Sequence, residues 1–406
     1  MNCLCFIAGN ARETFPPYRI LLKQKHPVYS NSLLRKISWA GGNCPSYPQA
    51  SRTLEELAEL ELNPCQIARI TEKVGIELSS YQNHIPKYQG SHIEDTAGRA
   101  SVVSVDGGRV RIRAEDQPQG VHKPQWKESK IAHLQVIEPQ SHTEDPQPEV
   151  PNAFVDPNHV KALVNQLCGY GKTAQECGKI PVPKQKRKTP NKKKDNVIIK
   201  SCLATVAPVE EFAPIVRNEA KRLEMDESAH KIFLADGGAP NWIIHEKFFS
   251  HWYAVLDFVH LIEHLFLVAG AVFKKPKEAW KLYHNLVTLA WKGKPNNIIS
   301  ILQNHQKRIG IPEKSLPENH PRRILQRNIK YIQDNKNRMN YPDMRKKGLP
   351  VSSCRVESLI KQINQRVKAS DKFWVIPKLK AVLQIRAAEL STTKLWDNFW
   401  GMKMAA

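Results

Sequence analysis

The chain has 406 residues, 41% of them hydrophobic, enough to bury a sizeable core in two or three domains and too apolar for a disordered polymer. Lys and Arg number 61 against 39 Asp and Glu, giving a formal net charge of +22 and a sequence pI near 9.6, a balance that favours a polyanionic partner. Eight scattered cysteines form neither a disulfide framework nor a paired zinc knuckle, and read as reduced thiols in a cytosolic protein.

The opening MNCLCFIAGN lacks the basic start and apolar core of an export signal, and residues 1–50 have paired prolines, a Gly-Gly step and no clear period, so this segment is expected to be poorly defined. Residues 51–92 predict a helix, a proline break, CQIARITEKVG, a glycine turn and a further short helix. That spacing suits either a helix-turn-helix DNA-binding unit or an ordinary helical hairpin. SVVSVDGG and RVRIR predict two strands joined by a glycine-containing turn, and KIAHLQVIE at 130–138 a third strand. Residues 139–160, rich in Pro, Glu and Asp, are expected to form a surface loop, and PVPKQKRKTPNKKKD at 181–195 a solvated basic loop. NVIIKSCLATVA then predicts a strand, EEFAPIVRNEAKRLEM a helix, KIFLADGG a strand and turn, PNWIIHEKFF a helix, YAVLD a strand and FVHLIEHLFLVAGAVF a helix. The stretch YAVLDFVHLIEHLFLVAGAVF is the nearest approach to a membrane span, but Asp257, His260, Glu263 and His264 interrupt it, so no membrane segment is expected. Residues from about 274 to 345 are expected to be helical, followed by RVESLIKQINQRVKA and PKLKAVLQIRAAEL as two more helices. The resulting fold class is α/β: a mixed sheet with helices on its faces, interrupted by a helical insertion.

Three acids stand out. Asp106 and Asp236 each follow a β-branched run and precede Gly-Gly; Glu357 opens an amphipathic helix beside the stripe Val356, Leu359, Ile360, Ile363 and Val367. Each has an ordinary explanation, a turn aspartate in the first two cases and a first-turn glutamate favoured by the helix dipole in the third. Together they match what a polynucleotide-cutting site requires, carboxylates from separate elements that hold hard divalent cations against phosphate. Magnesium suits such ligands, and manganese could substitute. Asp257 also ends a strand and rivals Asp236 for the second position; Asp236 is preferred, with Asp257 and His260 in a supporting role. His260 and His264, one turn apart, could chelate zinc, but buried polar packing is the simpler account.

The stretches VDGGRVRIR, QWKESKIAHL, FLADGGAPNW, VLDFVHLIEHL and YIQDNKNRMNYPDMRKKGLPVSSCRVESLIKQINQRVKASDKFW, followed by VLQIRAAEL and a Trp-rich tail, run in order over about residues 100–400. This ordered set resembles the bacterial insertion-sequence DDE transposases, specifically a mutator-like group common in cyanobacteria. The resemblance implies a ribonuclease-H-like catalytic domain at 93–400 behind a small helical DNA-binding region, with the helical insertion before the last acid. It implies that Asp106, Asp236 and Glu357 are catalytic and metal-binding with two magnesium ions, and that Asp257-Phe258-Val259-His260 is the family's acid, two residues, histidine element. Its expected partners are double-stranded DNA, as terminal inverted repeats and target, engaged by a homodimer or larger assembly in the bacterial cytoplasm at the nucleoid. Two departures are visible: Cys3, Cys5 and Cys44 do not reproduce the N-terminal zinc element of many relatives, and Ser352, Ser353 and Cys354 stand where many have glycine or asparagine.

DNA contacts are expected from Arg109 and Arg111 on the strand after Asp106, and from Lys184, Lys186, Arg187, Lys188, Lys192, Lys193 and Lys194 in the basic loop. Arg322, Arg323 and Arg327 in the insertion, and Lys361, Arg366 and Lys368 around the Glu357 helix, complete the expected basic surface, each also readable as an ordinary solvated charge. Trp374, Trp396 and Trp400 are expected to be packing anchors.

Overall fold

A computed structural model describes residues 29–84, 98–118, 120, 122–123, 125–167, 197–369 and 371–405. Its centre is a five-stranded sheet made of β1 (Ala100–Ile112), β2 (Gln125–Ile137), β3 (Val197–Thr205), β4 (His230–Ala235) and β5 (Tyr253–Leu256), in the order β3-β2-β1-β4-β5. β1 runs antiparallel to β2 and parallel to β4; β2–β3 is antiparallel and β4–β5 parallel. The mixed sheet is compatible with a ribonuclease-H-like core.

One local expectation is overturned. Gly107 and Gly108 make no hairpin turn; β1 runs through them as one strand, pairing without interruption from Ala100↔Ile137 to Ile112↔Gln125. The partner strand decides this, because β2 begins five residues earlier than its apolar run and offers backbone hydrogen bonds to the whole of RVRI, which an isolated Asp-Gly-Gly does not foretell. The chain instead reverses between Ile112 and Gln125.

Alternation sends one set of strand residues to each face. Val103, Val105, Leu134, Val136 and Phe233 share one face and belong to a core formed with α4 (Pro157–Leu167), α5 (Val209–Arg222), α6 (Ala239–Phe248) and α7 (Phe258–Val272). α4 begins inside the segment expected to be all loop. The same core continues into the insertion, α8 (Pro276–Trp291), α9 (Pro295–Ile309), α10 (Pro321–Asn335) and α11 (Tyr341–Lys346). On the other face Val110, Ile131, Cys202 and Ala204 meet α12 (Cys354–Val367) through Val356, Leu359, Ile363 and Val367, together with α13 (Ile376–Leu390).

The N-terminal helices differ from expectation in two ways. Asn31–Asn43 forms a helix within the segment expected to be poorly defined, and CQIARITEKVG does not end at a glycine turn. We label the helices in chain order α1 (Asn31–Asn43), α2 (Tyr47–Ala58) and α3 (Pro64–His84). Gly75 lies inside α3 because a Cβ there would come within 2.5 Å of Cα and Cβ of Ala381 on α13; the glycine permits close helix approach. Leu34, Val74 and Leu78 share a cluster with Ile385 of α13 and with Trp396 and Trp400 of α14 (Leu395–Ala405). No helix among the described residues is long and apolar enough to cross a membrane.

Candidate active site

Strand register assembles the acids. The last β1–β4 pair is Val105↔Ala235 and the last β4–β5 pair is Ala235↔Leu256, so Asp106, Asp236 and Asp257 are the next residues on three adjacent parallel strands. Neighbouring strands lie about 4.8 Å apart, which sets the three acids in one row at the carboxyl end of the sheet, the position where open α/β sheets receive ligands. The Asp257 N–H donates to the Ala235 carbonyl at 2.8 Å, fixing the last member of the row. Glu357 arrives from α12 on the opposite side of the sequence, its helix oriented by the apolar stripe packed on the sheet.

His260 joins the groups. One turn into α7, its Nε2 lies 3.8 Å from Asp106 Oδ2 and 3.8 Å from Asp257 Oδ2. Burial alone would depress this imidazole, but contact with Asp106 and the charges of Asp257, Asp106 and Asp236 overcome it and push it up to about 10. Asp257, His260 and Glu357 each offer a ligand atom, all within 4.8 Å of one another. Burial, then the Asp257 charge, raises the Glu357 carboxyl against the opposing pull of His260 and Lys361. Burial likewise raises the Asp257 carboxyl. The charged forms of these two carboxyls are disfavoured, a cost that a bound cation would relieve.

The acids differ in what else they do. Asp257 is fully buried; Oδ1 caps α7 by accepting from the Val259 N–H at 2.9 Å, and Oδ2 accepts from the Ser353 hydroxyl. Asp236 is half-buried, with Oδ1 accepting from the Gly238 N–H at 3.0 Å and from Asn241 Nδ2 at 2.7 Å. Asp236 and Asp106 both line an open cleft of about 600 Å³ whose wall includes Gly108, Arg109, Trp126 and Asn241. Glu357 Oε2 accepts from Gln166 Nε2 at 3.3 Å, whereas Glu357 Oε1 and His260 Nε2 are buried atoms with no hydrogen-bond partner. An oxygen-rich donor set with an unspent buried carboxylate oxygen fits a hard divalent cation such as magnesium or manganese.

The second histidine does not join. His264 Nδ1 pairs with Asn328 Oδ1 at 2.7 Å and its ring stacks on Tyr331 at 3.6 Å, while burial lowers its pKa to about 4. The chelating pair weighed for His260 and His264 is therefore a carboxylate-facing histidine followed by a packed neutral one. Tyr331 in turn presses on Gly237, where a Cβ would sit 1.9 Å from Cε2; this is why the residue after Asp236 is a glycine.

The basic residues divide. Arg109 and Lys361 are exposed, Arg109 on the cleft itself, and Arg327 and Lys368 are exposed elsewhere. Arg111 lies between the rings of Trp126 and Phe373, 5.1 and 5.6 Å from their centroids. Arg322 lies half-buried against Gly310. Two expected DNA contacts are corrected. Arg366 is 2% exposed, donates to the Gly41 and Pro45 carbonyls at 3.0 and 3.3 Å, and stacks between Tyr47 and Trp374. Its guanidinium joins the N-terminal helices to α12 and is enclosed where a phosphate does not reach, Nη2 being buried without a partner. Arg323 donates to the Leu316, Lys314 and Glu313 carbonyls and pairs with Glu318, so its charge is used in closing the connection between α9 and α10. Lys184, Lys186, Arg187, Lys188, Lys192, Lys193 and Lys194 lie outside the described residues.

No protein-family model and no curated protein matches the chain. Among solved structures, the chain is similar to the Drosophila P element transposase strand transfer complex, at a TM-score of 0.36 and 11% identity over 95% of this chain and 98% of that one. A likeness that distant carries no weight beside the site's own geometry.

Sequence reasoning passed over Asn241, Ser353, Gln166 and Tyr331, which hold or back the acids. Ser353 and Asn241 were near enough in sequence to known acids to be suspected as caps or orienting groups. Gln166 and Tyr331 carried no signal, since only folding brings them near the site.

Proposed function

We propose that this chain is a metal-dependent DNA strand transferase of the DDE transposase type, built on a ribonuclease-H-like core. One observation carries the reading: register sets three aspartates side by side on adjacent parallel strands, Asp106 within β1 and Asp236 and Asp257 just past the ends of β4 and β5, and a helix adds a glutamate with an unpartnered buried oxygen. A net charge of +22 supplies the attraction for a polyanion.

Asp106, Asp236 and Glu357 are assigned the metal-holding role. Asp257 belongs to the tightest donor group, yet it is fully buried and both its oxygens are engaged, whereas Asp106 and Asp236 open on the cleft that a phosphate could enter. Asp257 is a positioning residue that holds His260 toward Asp106. Asn241 orients Asp236, and Gln166 orients Glu357. Held by Asp106, Asp236 and Glu357, a divalent cation would supply activation of water or a 3′-hydroxyl and stabilisation of the leaving oxygen. Arg109, Arg111 and Lys361 would hold the DNA backbone around the acids. The finer assignment is a bacterial insertion-sequence enzyme of the mutator-like group that recognises terminal inverted repeats, joins them to target DNA and assembles as a dimer or larger complex on paired ends.

The test is cleavage and joining of oligonucleotide ends carrying the element's flanking repeats, in magnesium or manganese. Asp106→Asn, Asp236→Asn and Glu357→Gln should each abolish both steps while retaining DNA binding. Asp257→Asn should bind metal but lose turnover. Cleavage that persists in Asp106→Asn overturns the assignment, and cleavage without joining reduces the protein to a nuclease.

A further inference from the structure

Among the described residues Trp126 is the one large aromatic on the wall of the acid-bearing cleft, and it is 48% exposed. Its position is built rather than incidental. Register pairs it with Arg111, whose guanidinium lies over the indole at 5.1 Å and over Phe373 at 5.6 Å. Phe373 is anchored by its neighbour: the Trp374 N–H donates to the Arg111 carbonyl at 3.1 Å and the Arg113 N–H donates to the Trp374 carbonyl at 2.9 Å. A cation between two rings stiffens the indole and adds positive charge behind it, while the remaining indole surface lies toward solvent on the cleft wall.

We propose that Trp126 is a stacking platform for an unpaired base of the DNA strand bound at the acids. This deepens the strand-transfer reading and rests on it. A paired base inside a duplex presents only its edges, so a face-to-face partner must be unstacked or single-stranded. Arg111 stands five residues beyond Asp106 on β1, about 17 Å along the strand at roughly 3.4 Å per residue; the odd offset sets Arg111 and Trp126 on the face opposite the Asp106 side chain, and the cleft lined by both Asp106 and Trp126 connects the two. The captured base therefore lies several nucleotides from the phosphate at Asp106: about five steps at duplex spacing, fewer in a stretched strand. The platform would hold open a short unpaired stretch at the site of cutting.

The experiment uses the full chain with single-stranded and blunt duplex oligonucleotides of equal length carrying 2-aminopurine at successive positions, first without metal. Wild type should bind the single strand with a fluorescence change confined to one or two positions. Trp126→Leu should lose that change and weaken single-strand binding by about tenfold or more, leaving duplex binding intact. Trp126→Phe should restore most of both, and the urea midpoint of all three proteins should agree. Equal single-strand binding and equal fluorescence in wild type and Trp126→Leu would overturn the platform. Cleavage in magnesium is scored separately on the same duplex. Absent cleavage with an intact Trp126-dependent signal leaves the platform standing and removes the strand-transfer reading; cleavage with no Trp126 dependence does the reverse.

Discussion

Substituting alanine for Gly75 should destabilise the protein, although alanine is the better helix former. Gly75 lies in the interior of α3, where replacing glycine by alanine ordinarily gains about 0.8–1.0 kcal/mol. Here the new Cβ would sit 2.5 Å from Cα and Cβ of Ala381 and 2.7 Å from its carbonyl oxygen. A relaxed carbon contact needs roughly 3.5–4.0 Å, so one helix must retreat by about 1 Å. Two of the three opposing atoms are backbone and cannot rotate away. Overpacking of this kind costs typically about 1–3 kcal/mol, and the upper end applies where backbone must move. The net expectation is a loss of about 1–2 kcal/mol. Gly270 provides the control: it lies exposed near the end of α7, and a Cβ there meets nothing within 4 Å, so Gly270→Ala should gain up to about 1 kcal/mol. Urea unfolding followed by circular dichroism, with the slope held constant, reads both. The two midpoints must move in opposite directions. A raised midpoint for Gly75→Ala would refute the close approach of α3 to α13, and with it the docking of the N-terminal helices on the end of the chain.

Gly237→Ala should lower turnover and stability together, because its Cβ would collide with Tyr331 at 1.9 Å and push that ring off His264; normal cleavage in this variant would contradict the packing behind Asp236. Arg366→Lys should cost about 2–3 kcal/mol by breaking a fork held on two carbonyls between two aromatic rings, yet leave the salt dependence of DNA binding unchanged; a shallower salt slope would restore Arg366 to the DNA surface. Burial would raise the Asp226 carboxyl, but hydrogen bonds from Arg217, His251 and Trp252 prevail and bring it down to about 2. A depressed folded pKa stabilises above the unfolded value near 3.9 and is lost as pH falls toward 2, so Asp226→Asn should flatten acid unfolding in that window and leave its steepness elsewhere unaltered.

Periodicity made most of the elements legible. The runs that became β3, β4 and β5 and the helices that became α5, α6, α7 and α12 carry their own patterns of burial, and Asp236 and Glu357 sit at element boundaries that pattern alone could place, whereas Asp106 lies inside β1. What failed were the glycines. Gly75, Gly107 and Gly108 read as breaks, whereas two lie in an unbroken strand and one in an unbroken helix. A glycine's local permissiveness is the same in a turn, a ladder or a close helix crossing, so only the neighbour decides among them.

The basic residues repeat that lesson. Arg109 and Arg366 are alike in sequence, yet one lines a cleft and the other is enclosed by Tyr47 and Trp374. By itself the sequence determined the charge excess and the helix and strand periods, and it offered Asp106, Asp236 and Glu357 as candidate acids, because these reside in composition and local spacing. The tertiary structure alone decided that Asp106, Asp236 and Asp257 share one row, that His260 lies 3.8 Å from two of them and that Trp126 overlooks the cleft. Those facts depend on strand register and on contacts between residues up to hundreds of positions apart, for which local propensity holds no information.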